Sequence, residues 1–144
     1  MVKTISTLVV NGENKILALK RSRKANQHHG KWDIISGRIK NGETPNECFE
    51  RELFEKIGLT RYLFVEKKAP FVYQEKGLKK LVYPYLCKIS HSRIELNHLY
   101  QQFKWVTFNE FFQLDYIPAL KTYLEIFNQF IALLLAFQSK QIAS

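Results

Sequence analysis

Apolar residues gather in strand-like runs near the start of this chain and take helical spacing in the middle. Val2 to Val10 and Lys15 to Arg21 are β-rich, and Asn11-Gly12-Glu13-Asn14 between them predicts a connection of hairpin type. Lys24 to Lys31 is a polar loop, and Trp32 to Ile35 a short buried strand turning at Ser36-Gly37. Thr44-Pro45-Asn46-Glu47 then supplies a helix start: a hydroxyl to cap, a proline whose missing N–H is harmless in the first turn, and a Glu to close a capping box. Gly58 is the stop, so the pattern predicts a helix over 45–57, about three and a half turns. Phe49, Leu53 and Ile57, joined by Phe54, form its apolar stripe, while Glu52, Glu55 and Lys56 share another face.

Beyond the helix, Tyr62 to Gln74 and Leu78 to Ile89 are β-rich stretches around a hairpin signal, Glu75-Lys76-Gly77. Pro70 and Pro84 within them imply edges, bulges or breaks. Phe103 to Val106 is a last short strand, Asn109 to Leu114 begins a helix, and Pro118 opens another running to about Phe137. In that helix Leu120, Tyr123, Leu124, Phe127, Phe130, Ile131, Leu134 and Leu135 trace an apolar face, which Leu133 and Phe137 widen almost all round. So much apolar surface predicts a homodimer burying residues from about 127 to 137, with a helix folded back onto its own sheet as the alternative. The longest apolar run, Phe130 to Phe137, is far short of the ~18 residues a membrane helix needs. The elements alternate as in a mixed α/β protein, and without repeat or linker they read as one domain over 1–144, with 128–144 a C-terminal helical extension.

Composition adds a charge argument. The net charge is +9, from 22 basic and 13 acidic side chains, with clusters at Lys20 to Lys24, Lys67-Lys68 and Lys76 to Lys80. Nucleotide phosphates, an RNA backbone and a plain solvated basic surface all fit that balance. Cys48 and Cys87 are too few for a disulfide framework and read as reduced packing residues. With no basic-then-apolar leader, the expectation is a soluble, cytoplasmic protein without membrane association.

The chemistry concentrates between Gly37 and Leu59. Gly37, Glu43, Arg51, Glu52, Leu53, Glu55, Gly58 and Leu59 stand at spacings that place carboxylates on a helix beside a glycine, a donor set suited to a hard cation shared with phosphates. This stretch resembles the Nudix box, with Lys56 in place of the last Glu of its core and Ser36 ahead of Gly37 where the family has a second glycine. Leu17 to Arg21, Lys31 to Ser36, Phe103-Lys104-Trp105-Val106 and Ile117-Pro118-Ala119-Leu120 are similar to further family segments, so the resemblance covers roughly 2–127.

The resemblance implies an α/β/α sandwich with a mixed sheet between helices, and a hydrolase that cleaves a nucleoside di- or triphosphate or related diphosphate with Mg²⁺ or Mn²⁺. It assigns Glu52 as base or metal ligand, Glu55 and the Gly37 carbonyl as further ligands, and Arg51 with Glu43 as the ion pair holding loop to helix. Arg21, Arg23 and Lys56 are its candidates for gripping phosphate, with a solvated strand end as the alternative for the two arginines. Trp32 and Phe103 are candidates for stacking on a base, or for the core. His28 and His29 have no metal-site spacing. Where the family often has an acid before its last strand this chain has Leu99, with Glu75 or Glu95 the available substitutes. Lys56 replaces attraction for a divalent ion by repulsion, each on the order of several kcal/mol at ~4 Å and an effective dielectric of ~20. A nucleotide-binding module without turnover, or an RNA-binding protein, is therefore the alternative to the hydrolase.

Overall fold

The pleat of β1 (Val2–Val10) sends side chains to opposite faces of one sheet, and in the computed structural model, which describes residues 1–90 and 93–129, each face has its own core. Ile5 and Val9 join Leu17, Leu19 and Ile35 beneath Phe49, Leu53 and Ile57 of a helix, α1 (Pro45–Ile57). Leu8 and Val10 join Ile16, Ala18 and Ile34 on the other side, covered by Phe111, Leu120, Leu124 and Phe127. Helix, mixed sheet and helix thus stack as an α/β/α sandwich.

β7 (Leu78–Lys88) runs parallel to β1 along its whole length, from Val2 opposite Lys80 to Val10 opposite Lys88. On its other edge β1 pairs antiparallel with β4 (Ile35–Arg38). β2 (Ile16–Arg21) pairs instead with β3 (Trp32–Asp33) and β8 (Tyr100–Val106), both antiparallel. The expected first hairpin accordingly pairs only at Val10 and Ile16 before its strands separate, because each has longer partners elsewhere. The expected strand over Trp32 to Ile35 is likewise two pieces, one paired to β2 and one to β1.

β5 (Phe64–Lys67) and β6 (Phe71–Glu75) both pair antiparallel with β7, and Pro70 lies in the break between them. Pro84, by contrast, does not interrupt β7. Pairing with β6 ends at Val82 and pairing with β5 begins at Tyr85, so the absent N–H falls in the gap between partners. Lys76 and Gly77, at φ 49° and 79°, make the two-residue turn of the β6–β7 hairpin.

In α1, Thr44 and Glu47 exchange both bonds of the capping box, and Gly58 ends the helix in the left-handed region at φ 69°. One expectation about this helix fails: Phe54 is 61% exposed. Five residues past Phe49 it lies about 140° round the helix, and Cys48 takes the buried place beside Phe49. α2 (Phe108–Phe111) is shorter than the predicted 109–114 and has its own capping box, Thr107 with Glu110. Residues 120–129 are helical, and Phe127 is buried in the chain's own core. The remainder of the predicted extension, with its dimer face from 130 to 137, lies outside the described residues. Among those described, no helix is long and apolar enough to cross a membrane.

Candidate functional site

Pairing of β4 with β1 sets Gly37 opposite Ile5, which makes it a strand residue rather than part of a loop. The sheet there lies directly over α1. A Cβ built on Gly37 would stand 2.1 Å from Cδ of Glu52, so only glycine allows strand and carboxylate to approach this closely. Cys48 fills the space beside Glu52, its sulfur 3.6 Å from the Arg38 carbonyl, and burial raises its thiol pKa to about 12. Both cysteines are free and buried, as expected of packing residues.

Arg51 is the hub of the box. Its Nε and Nη2 donate to the two Glu43 oxygens at 2.7 and 3.0 Å, a bidentate clasp, and Nη2 also donates to the Arg38 carbonyl at 3.1 Å. That guanidinium lowers the Glu43 carboxyl to about 2. Through Nη1 it reaches Glu52 at 2.9 Å and Glu55 at 3.4 Å. The ion pair of Arg51 with Glu43 is thus present, and the same guanidinium ties together two further acids one helical turn apart.

Lys56 turns inward. Its ammonium lies 2.9 Å from Glu52 Oε2 and donates to the Ser36 carbonyl. The contact with Glu52 is a Coulombic pair without hydrogen-bond alignment, and Oε2 has no aligned donor at all. Both carboxylate oxygens of Glu52, whose side chain is 7% exposed, therefore face a cation.

A second buried acid stands nearby. Asp33 accepts from the Ile34 N–H at 2.8 Å and from Arg21 Nη1 at 3.1 Å. Burial raises its pKa, against the opposing pull of Arg21, the backbone N–H and Lys56. Arg21 also donates to the Gln27 carbonyl, and so is held from two sides. Outside this pair opens a cleft of about 420 Å³ whose wall includes Arg21, Asp33, Ser36, Gly37, Arg38 and Lys80. Lys56 is not among its lining residues and sits behind Ser36, while Arg23 is exposed and outside the lining. Trp32 is core, with the Lys104 ammonium 5.2 Å from its ring centre, and Phe103 packs against the opposite cluster. His28 does line the cleft. Glu95 rests against Gly58 at the end of α1 and pairs with Arg93, Glu75 lies at a hairpin, and Leu99 packs on the core.

Residues 2–126 match the family model of the NUDIX domain. The chain belongs to the Nudix family. Its fold is similar to that of a MutT protein from Methanosarcina mazei Go1, at a TM-score of 0.76 and 19% identity over 89% of this chain and 93% of that one. An Ap4A hydrolase of C. elegans in a binary complex gives 0.72 and 22% over 92% and 98% of the two chains. The NUDIX domain of Shewanella oneidensis NrtR, complexed with ADP ribose, gives 0.73 and 15% over 90% and 88%. In sequence the chain is 27% identical over 115 residues to an octanoyltransferase of Myxococcus xanthus, a match covering 73% of this chain but only 30% of that protein.

Nudix hydrolases generally use divalent cations. The donors here fit such an ion poorly. Glu52 is compensated by Arg51 and Lys56, Glu55 and Glu43 turn to Arg51, and among the described residues no three His, Cys, Asp or Glu side chains group as a metal site. Asp33 and Arg38, which line the cleft, were not among the expected site residues, whereas Lys80 was expected only within the basic cluster Lys76 to Lys80 and Tyr123 only on the apolar face of the last helix. For Asp33 a signal existed, an acid flanked by Trp32, Ile34 and Ile35 in an apolar strand. Arg38 carried none, and its meeting with Lys80 follows only from β4 and β7 taking opposite edges of β1.

Proposed function

We propose that this Nudix protein hydrolyses a nucleoside di- or triphosphate or a related diphosphate held in the cleft beside Gly37. The observation that carries this reading is the buried Glu52 carboxylate, which does not itself line the cleft but is fixed directly under Gly37, a residue that lines it with Arg21, Arg38 and Lys80. Cationic side chains at the cleft favour phosphate oxygens, and a carboxylate behind its wall can serve as a proton acceptor. Water oxygen bonds to phosphorus, its proton passes to Glu52, and the bridging P–O bond breaks with its electron pair leaving on the departing phosphate. Magnesium or manganese enters as the counter-ion of the nucleotide's own phosphates, the form in which such ions are commonly presented. The Ap4A hydrolase and the ADP-ribose-bound domain, both similar in fold, support a nucleotide with a diphosphate linkage.

One observation favours a second reading, a nucleotide-binding module without turnover: both Glu52 oxygens are already paired, which weakens that carboxylate as a base. A panel of nucleotides incubated with Mg²⁺ or Mn²⁺, following phosphate and pyrophosphate release alongside binding, separates the two. Hydrolysis that falls by a factor of at least ~10² in Glu52→Gln, with the fold retained, supports the first. Turnover undiminished in that variant excludes Glu52 as its base, and binding without release by the unaltered chain supports the second.

A further inference from the structure

We infer that the Lys56 ammonium is the resident cation of this site, standing where the box acids would otherwise attract a divalent ion, so that the cleft takes its diphosphate without a metal held by the protein. For the class of ligand this rests on the hydrolase reading above. For the cation it rests on geometry alone.

Glu52 is buried, and an uncompensated buried carboxylate is costly, so some cation must face its two oxygens. Arg51 faces Oε1 at 2.9 Å, and Lys56 stands 2.9 Å from Oε2 while donating to the Ser36 carbonyl. A carboxylate oxygen and a backbone carbonyl converging on one point are the oxygen donors a hard cation takes; here an ammonium occupies that point. Its side chain is only 15% exposed, and Gly37 lies over its partner so closely that a single added methyl would collide with Glu52. Helical geometry places Lys56 four residues beyond Glu52 on the same face, so the pair forms within one element. A divalent ion entering here would have to displace a charge that the chain carries with it. The ammonium also offsets the Glu52 charge behind the Ser36–Gly37 wall, so that this carboxylate opposes Arg38 and Lys80 less at the cleft.

Two titrations of the full chain test this. In the first, Mn²⁺ alone is followed by electron paramagnetic resonance for the unaltered chain, Lys56→Glu, Lys56→Met and Glu52→Gln, each checked for folding by circular dichroism. The expected result is that Lys56→Glu binds Mn²⁺ at least ~10-fold more tightly than the unaltered chain, which binds it no better than Glu52→Gln does. Tight Mn²⁺ binding by the unaltered chain that Glu52→Gln abolishes overturns the inference, and that comparison stands even if Lys56→Glu fails to fold. In the second, ADP is titrated calorimetrically with Mg²⁺ and, separately, with excess EDTA. Affinity that falls in Lys56→Met and recovers in Lys56→Arg supports a built-in cation; affinity that is the same in Lys56→Met as in the unaltered chain overturns it. If ADP binds under neither condition while the Mn²⁺ results hold, the nucleotide reading fails and the assignment of Lys56 stands.

Discussion

Gly37 and Glu43 show how far single residues set this site. Because a Cβ at position 37 would stand 2.1 Å from Glu52 Cδ, Gly37→Ala must move either β4 or the carboxylate. The expected loss is about 1–3 kcal/mol of stability, measured by denaturant unfolding, together with reduced nucleotide binding. Unchanged stability and binding would show that strand and helix can part at no cost. Glu43 makes a prediction in pH. Its carboxyl is held at about 2, below the ordinary 4.5, chiefly by hydrogen bonds from Arg51. A lowered folded pKa means the clasp contributes fully above about 4.5, with that contribution lost as pH falls toward 2. Stability curves of the unaltered chain and Glu43→Gln should therefore differ at neutral pH and converge on acidification. A difference that stays constant from neutral pH down to the acid limit rules out the clasp as its source.

α1 is the element on which the box depends, and its ends are fixed by chemistry local to it. Thr44 accepts from the Glu47 N–H at 3.1 Å, and Glu47 answers at the Thr44 N–H. Thr44→Ala should cost about 1 kcal/mol, seen as a lower denaturation midpoint with an unchanged slope. The same helix carries Arg51, Glu52, Glu55 and Lys56 on adjoining turns, so fraying from its first turn should weaken nucleotide binding as well. A stability loss without any effect on binding would mean that the remaining turns hold these side chains unaided. The exposed Phe54, lining a shallow groove with Glu43, Glu47 and Tyr62, lies on the side of α1 away from the core.

For the whole molecule, the two cores on either face of the sheet bring distant segments together. Phe127 belongs to the second core, so the fold uses for itself the first residue of the surface expected to pair two copies. A homodimer through residues 130–137 stays a proposal about a segment beyond the described residues. Light scattering on the full chain and on a version ending after Asn128 tests it. The expected outcome is a dimer that truncation converts to a folded monomer, since Phe127 and the core it completes remain in the shorter chain. A full-length monomer at micromolar concentration ends the idea.

Taken alone, the sequence determined what local interactions determine. The limits of α1 follow from Thr44, Pro45, Glu47 and Gly58, the β6–β7 turn from Lys76-Gly77, and the box register from residues on one helix and the strand before it. Resemblance in that register was enough to foresee the sandwich, because a family's motif is tied to a fold. Tertiary structure decided whatever depends on which strands become neighbours. It parted β1 from β2, gave Pro84 a gap in which to sit, turned Phe54 outward and brought Arg38 and Lys80 to opposite sides of β1. It decided the direction of Lys56 too. Helical spacing could place that ammonium beside Glu52, but only the carbonyl of Ser36, delivered by β4 from across the sheet, holds it there.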